Sequence, residues 1–222
     1  MTSVLSETPD VHIGVASTGD GASIASLGAL ALAGSGLVQP CPLPLGDAID
    51  QHGGRVPLPY GEGVCHTARV GRSLVGMVYS TPPIRWISSH PEHERPLLVH
   101  QLVEIELLAV AEQHRSQGIG TALLEHAEAH ARSVGAQFAV AKIRAGAFAT
   151  MRWYRRRGYR IAAQGEPLLF TTTHGQPSNV SDGNDGHHLA VKPLDSVTVL
   201  QRRSPANGPS HLIPVTSSQG DR

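Results

Sequence analysis

The chain has 222 residues, enough for one well-buried domain with a tail and short for two full-sized ones. Its 18 lysines and arginines balance 18 aspartates and glutamates, so no basic excess points to nucleic acid and no global field would gather anionic partners. The two cysteines, Cys41 and Cys65, cannot build a disulfide framework and lack the paired spacing of a zinc site, which fits a reducing cytoplasm.

Residues 1–10, "MTSVLSETPD", lack a basic region followed by an apolar core, so they read as an N-terminal extension and imply no export. "VHIGVAS" (11–17) is a β-like run. Ser17, Thr18 and Asp20 then offer helix-capping side chains before an alanine-rich segment that is too interrupted and too short to span a bilayer, so no membrane is expected as a partner. Residues 35–63 are rich in Pro and Gly and read as loop, with "LGDAIDQHGG" as a short helix inside it. "GVCHTARV" and "SLVGMVYS" flank a Gly71-Arg72 turn and read as a β-hairpin, and "PPIRWISSHPEHERP" follows as a loop.

"LVEIELLAV" (102–110) is a strong strand that leads through "AEQHRSQ" into a helix ending near Ser133. Leu123, Ala127 and Ala131 recur every four residues and predict a buried stripe, with Glu125 and Glu128 off it. "AQFAVAKI" is the next strand, Phe148 to Arg157 has a helical rhythm closed by Gly158, and "YRIAA" is a further strand. From about Gln164 the composition changes, "THGQPSNVSDGNDG" holds almost nothing that could form a core, and 164–186 read as a mobile loop. "HHLAVKPL" (187–194) reads as a final strand returning to the sheet, and 195–222 as a disordered tail.

Two glycines, Gly118 and Gly120, stand where the helix after "LVEIELLAV" opens. Glycine costs about 1 kcal/mol against alanine inside a helix, so the position needs a different property. A helix N-terminus presents unpaired N–H groups with partial positive charge, and glycines let a ligand's phosphates approach them. The spacing is neither G-x-x-x-x-G-K-[ST] nor G-x-G-x-x-G, which disfavours a nucleoside triphosphatase or a dinucleotide dehydrogenase.

What does match is Arg115-x-x-Gly118-x-Gly120 after a strand ending in "LAV", which resembles the acetyl-coenzyme A signature of the GCN5-related N-acetyltransferase (GNAT) family. About 40 residues on, "WYRRRGY" (153–159) is similar to the family's second marker, and "LAVKPL" to its last strand. The similarity is clearest over 62–163. The chain departs from the pattern at Ala147, where the family often has Asn, and at Thr150, where Ala is common.

The resemblance implies an α/β, single-domain GNAT-like fold over 11–194, with a mixed, mostly antiparallel central sheet flanked by helices. It implies transfer of an acetyl group from acetyl-CoA, as co-substrate, to a primary amine by direct attack in a ternary complex. The cradle for the pyrophosphate would be Arg115, Ser116, Gln117, Gly118, Ile119, Gly120 and Thr121, and the backbone of Leu108, Ala109 and Val110 would polarise the thioester carbonyl.

A lysine-like amine, of pKa about 10.4, must lose a proton before it attacks. Glu104 and Glu106 fall on one face of their strand with Leu108 and Val110, and Glu104 stands where the family's histone-type members carry their glutamate base. A partly buried carboxylate there would have a raised pKa and could take the proton. Alternatively, both glutamates face solvent or pair with arginines such as Arg69 or Arg85. Tyr154 is the candidate acid for the departing thiolate, against an ordinary core aromatic.

The cluster Arg152, Arg155, Arg156, Arg157 and Arg160 reads as a solvated helix face, or as a site for the cofactor's nucleotide phosphate or an acidic substrate. The 13 histidines complete no ligand set, and no metal is assigned. The rival function is a non-catalytic acyl-CoA-binding or regulatory module. The acceptor's identity and a homodimer stay open.

Overall fold

The computed structural model describes residues 10–32, 45–182, 185–206 and 208–217. Its elements are mixed α/β, with a central, mostly antiparallel sheet flanked by helices. The sheet runs in the order β1(Val11–Val15), β3(Gly61–Val70), β4(Ser73–Thr81), β5(Leu102–Val110), β6(Phe138–Arg144), β10(His187–Pro193), β7(Arg160–Ile161), with β2(Arg55–Leu58) on β3. β1 runs antiparallel to β3, and β10 antiparallel to both β6 and β7. β5 and β6 are parallel, and their register runs only from Leu102↔Phe138 to Glu104↔Val140. The chain folds into two compact units, and β4 and β5 contribute residues to each.

One unit holds the described residues of 1–56, 64–78 and 107–126. Its helices α1(Gly21–Leu32) and α2(Leu45–His52) meet at glycines, where a Cβ on Gly21 would lie 2.3 Å from the carbonyl oxygen of Gly46. Ser17, Thr18 and Asp20 were the expected caps for α1, yet the Asp50 carboxylate of α2 accepts the N–H groups of Gly19 at 3.0 Å and Gly21 at 2.9 Å. Asp20 instead accepts the Ser17 N–H and pairs with Arg69. In this unit Ile119, Leu123 and Leu124 of α5(Ile119–Ser133) are buried. A Cβ on Gly76 of β4 would meet Leu123 at 3.0 Å and the Ala109 carbonyl at 3.2 Å, so a larger residue there would have to push these neighbours aside.

The other unit holds the described residues of 57–63, 79–106 and 127–217. It contains a second sheet, in the order β11(Thr198–Arg203), β12(His211–Thr216), β8(Leu168–Thr171), β9(Pro177–Val180). Here the structure corrects two expectations. The 164–186 segment carries the β8–β9 hairpin, paired from Leu168↔Val180 to Thr171↔Pro177, and the 195–222 tail carries the β11–β12 hairpin. Residues 1–9, most of the expected N-terminal extension, lie outside the described residues, as do 183–184, 207 and 218–222.

Alternation explains the second sheet. Leu168 and Phe170 are buried while Leu169 and Thr171 are exposed, and with Leu200 and Leu212 they join Leu102, Phe138, Val140, Leu189 and Val191 in one core. Glu166 locks the arrangement. It is buried, and Arg202 of β11 donates to both its oxygens at 2.7 Å. The expected 82–96 loop contains the short helix α3(Ile84–Ser88) and the start of α4(Arg95–Leu98). No helix among the described residues is long and apolar enough to cross a membrane.

Candidate active site

The glycine loop lies in the first unit. Ser116 and Gly118 both have positive φ, 62° and 84°, so the chain alternates hand between β5 and α5, a shape that turns successive N–H groups toward one side. The N–H groups of Gly118, Ile119 and Gly120 bond to no acceptor among the described residues, and the first recorded return to the helix is Thr121 N–H to Gly118 O at 2.9 Å. Nothing lies within 4 Å of where a Gly118 Cβ would be. Open space and unpaired donors therefore coincide, and the donor set suits an anionic diphosphate.

Arg115 is placed differently from a phosphate-gripping side chain. Its Nε donates to the Val110 carbonyl at 3.1 Å, tying the end of β5 to the loop. Gln117 likewise turns back, donating to Gln113 O at 3.2 Å. The next backbone step is also anchored, with Ala111 N–H donating to Val75 O at 2.8 Å. Leu108 and Val110 are half-buried and Ala109 is buried, its carbonyl close against Gly76.

The other candidates lie in the second unit. Ile105 is buried while Glu104 is half-buried and Glu106 exposed, as strand alternation requires. Glu104 stands at the residue where β5 and β6 stop pairing. Protein packs around its carboxyl while its edge keeps some solvent access. That burial, reinforced by the like charge of Glu106, pushes its pKa up to about 7, against the opposing pull of Lys142 and Arg85. Arg85 thus acts on Glu104, whereas Arg69 is engaged with Asp20. A carboxyl poised near neutrality is suited to general base work.

Tyr154, on α6(Phe148–Arg155), is buried, with its ring edge-on to Tyr159 at 4.9 Å and to Trp153 at 5.0 Å. Burial, and then the negative charge of Glu128, raise its phenol pKa, so it stays protonated as a hydrogen-bond donor but gives up its proton less readily than a free phenol. Of the arginine cluster, Arg152, Arg155, Arg156 and Arg160 are exposed, and Arg157 stacks on the Trp153 ring at 3.6 Å. Ala147 begins α6 without a side-chain cap.

Glu128 was expected off the buried stripe of α5, and the structure overturns this. It is 1% exposed, accepting from Tyr159 at 3.0 Å, Lys192 at 2.6 Å and Arg132 at 3.4 Å. Three donors compensate a charge that helical periodicity would leave in water. The partners are 31 and 64 residues away for Tyr159 and Lys192, so only the Arg132 spacing could have signalled it.

The acetyltransferase (GNAT) family model matches residues 46–159, just over half of the chain. No curated protein matches. Among solved structures, N-acetylglutamate synthase from Neisseria gonorrhoeae, complexed with coenzyme A and N-acetyl-glutamate, is 20% identical with a TM-score of 0.55, over 84% of this chain and 35% of that one. The present chain thus spans about a third of that enzyme's length. YncA from Salmonella typhimurium, with its cofactor acetyl-CoA, is 17% identical at a TM-score of 0.55, over 84% and 95% of the two chains. PaiA N-acetyltransferase from Thermoplasma acidophilum, in complex with coenzyme A, is 12% identical at 0.54, over 83% and 99%. At these identities the likeness is one of fold. With the matching family model, it establishes that the chain belongs to the GNAT acetyltransferase family.

Proposed function

We infer that the chain is an N-acetyltransferase that moves an acetyl group from acetyl-CoA to a primary amine by direct attack in a ternary complex. The observation that carries this reading is the loop at 116–120, with its alternating hand, its unpaired N–H groups and its open space at Gly118. Solved neighbours that hold coenzyme A or acetyl-CoA support it.

In this reading the main-chain N–H groups of Gly118, Ile119 and Gly120 receive the pyrophosphate, Ser116, Gln117 and Thr121 shape the loop around it, and Arg115 holds the loop against Val110 rather than gripping phosphate through Nε. Backbone N–H groups of the Leu108–Val110 segment polarise the thioester carbonyl. Glu104 takes the proton of the amine, directly or through water, and the freed nitrogen forms the C–N bond as the C–S bond breaks. Tyr154 hydrogen-bonds the departing sulfur and hands over a proton only late, as the thiolate forms. Glu106 acts on Glu104 by its charge.

The rival, a non-catalytic acyl-CoA-binding module, draws support from Ala147, which leaves the start of α6 without a polar side chain. Thiol release against a broad amine panel separates the two. Turnover that is lost in Glu104→Gln or Tyr154→Phe supports transfer; tight acetyl-CoA binding with no thiol release from any amine contradicts it.

A further inference from the structure

The second unit contains a polar cluster that the transfer chemistry leaves unused. Asp185 Oδ1 lies 2.9 Å from His187 Nδ1, and Asp185 Oδ2 lies 3.6 Å from Lys142 Nζ. Burial alone would raise the Asp185 pKa, but the His187 hydrogen bond and Lys142 outweigh it and hold the carboxyl below its ordinary value. An ionised carboxylate only accepts, so Nδ1 is the protonated nitrogen. In the neutral ring Nε2 then carries a lone pair.

His187 is 8% exposed, and its Nε2 is buried with no hydrogen-bond partner among the described residues. Buried polar atoms are nearly always paired, and no described residue pairs with this one, which leaves Nε2 available to a donor that the described residues do not supply. The register shows which face it belongs to. His187 stands opposite Arg144 and Leu189 opposite Lys142, while Glu104 stands opposite Val140. Residues two apart share a face, so Glu104, Lys142 and His187 lie on the same side of the sheet. Four residues of β6, about 13 Å of strand, separate the levels of Glu104 and His187.

We propose that His187, oriented by Asp185, is an acceptor-recognition residue whose Nε2 takes an N–H or O–H donor of the acceptor other than its reacting amine. The acceptor class is then an amino alcohol or diamine with several bonds between its two polar ends, rather than a simple alkylamine. This rests on Glu104 serving the reacting amine.

The test uses the full chain with saturating acetyl-CoA and two matched pairs, 4-aminobutanol with butylamine and 6-aminohexanol with hexylamine. Thiol release should favour the amino alcohol in at least one pair by about tenfold in kcat/KM. His187→Leu should bring that ratio to about one, and His187→Gln, which keeps a hydrogen-bonding group, should retain part of it. In parallel, the Nε2 resonance of His187 in nitrogen-15-labelled chain should move on titration with the amino alcohols and not with the alkylamines.

An unchanged ratio in His187→Leu, or a preference for 6-aminohexanoate, overturns the proposal, as does a ring resonance that ignores every amine. Ring movement without thiol release from any amine would uphold the recognition site and refute transfer. Thiol release with equal preference would do the reverse.

Discussion

The phenol of Tyr159 donates a 3.0 Å hydrogen bond to Glu128 Oε1, and its ring meets Tyr154 edge-on at 4.9 Å. A carboxylate buried on α5 thereby fixes the aromatic beside the proposed acid. Lys192 Nζ, 2.6 Å from Oε2, supplies the compensating charge. Glu128→Ala should destabilise the chain by about 3 kcal/mol, because it leaves Lys192 and Tyr159 without their shared acceptor. Tyr159→Phe, which removes one charge-assisted bond and keeps the ring, should cost about 1.5 kcal/mol. Urea unfolding measures both. Equal, negligible losses would mean that the network contributes nothing to stability.

Glu104 links activity and stability to pH. Its folded-state pKa of about 7 lies above the ordinary glutamate value, so the folded chain holds a proton there that the unfolded chain releases. The sign follows. Stability from this group is full at pH 4 and declines as pH rises to about 7, while base activity increases over the same range. The kcat/KM profile should therefore rise with a limb near pH 7 that is absent in Glu104→Gln. The same variant should match wild-type stability near pH 4 and exceed it above pH 7. A limb that survives the substitution would place the base elsewhere.

The C-terminal hairpin should prove integral to its unit. Arg202→Ala strands the buried Glu166 carboxylate and should cost about 3 kcal/mol at neutral pH. Burial pushes the Glu166 pKa up, but the two Arg202 bonds and the Ala163 N–H overcome it, so the net shift is downward. This stabilisation is present above the ordinary glutamate range and lost as pH falls below it, so the Arg202→Ala penalty should shrink in acid. Truncation after residue 194 should lower the melting temperature by removing Leu200 and Leu212 from the core. An unchanged melting temperature would mean that β11 and β12 add no stability.

How much of this could be read from sequence depended on how local each signal was. β5, the glycine loop and α5 were legible because strand alternation, the Gly118 and Gly120 positions and the Leu123–Ala127–Ala131 stripe lie within 30 residues. The second sheet was not, because its strands are short and bury only alternate residues, and Glu166 finds its partner 36 positions away. A polar stretch such as 172–182 reads as loop until Trp86 is seen donating to Asn179 O across 93 residues. Glu128 failed for a related reason, since periodicity reports hydrophobicity and a fully compensated charge has none. The Asp185–His187 pair is only two residues apart, yet nothing in the sequence shows that Nε2 is buried without a partner among the described residues.

Whether the main-chain donors of Gly118, Ile119 and Gly120 hold a diphosphate ester is decided by a crystal structure of the chain with acetyl-CoA. Pyrophosphate oxygens should lie within hydrogen-bonding distance of the Gly118, Ile119 and Gly120 N–H groups, and the complex should be lost in Gly118→Val, because a β-branched residue cannot adopt the 84° φ of Gly118 without strain. Coenzyme bound away from this loop, or bound equally well by the valine variant, would contradict this role for the three donors.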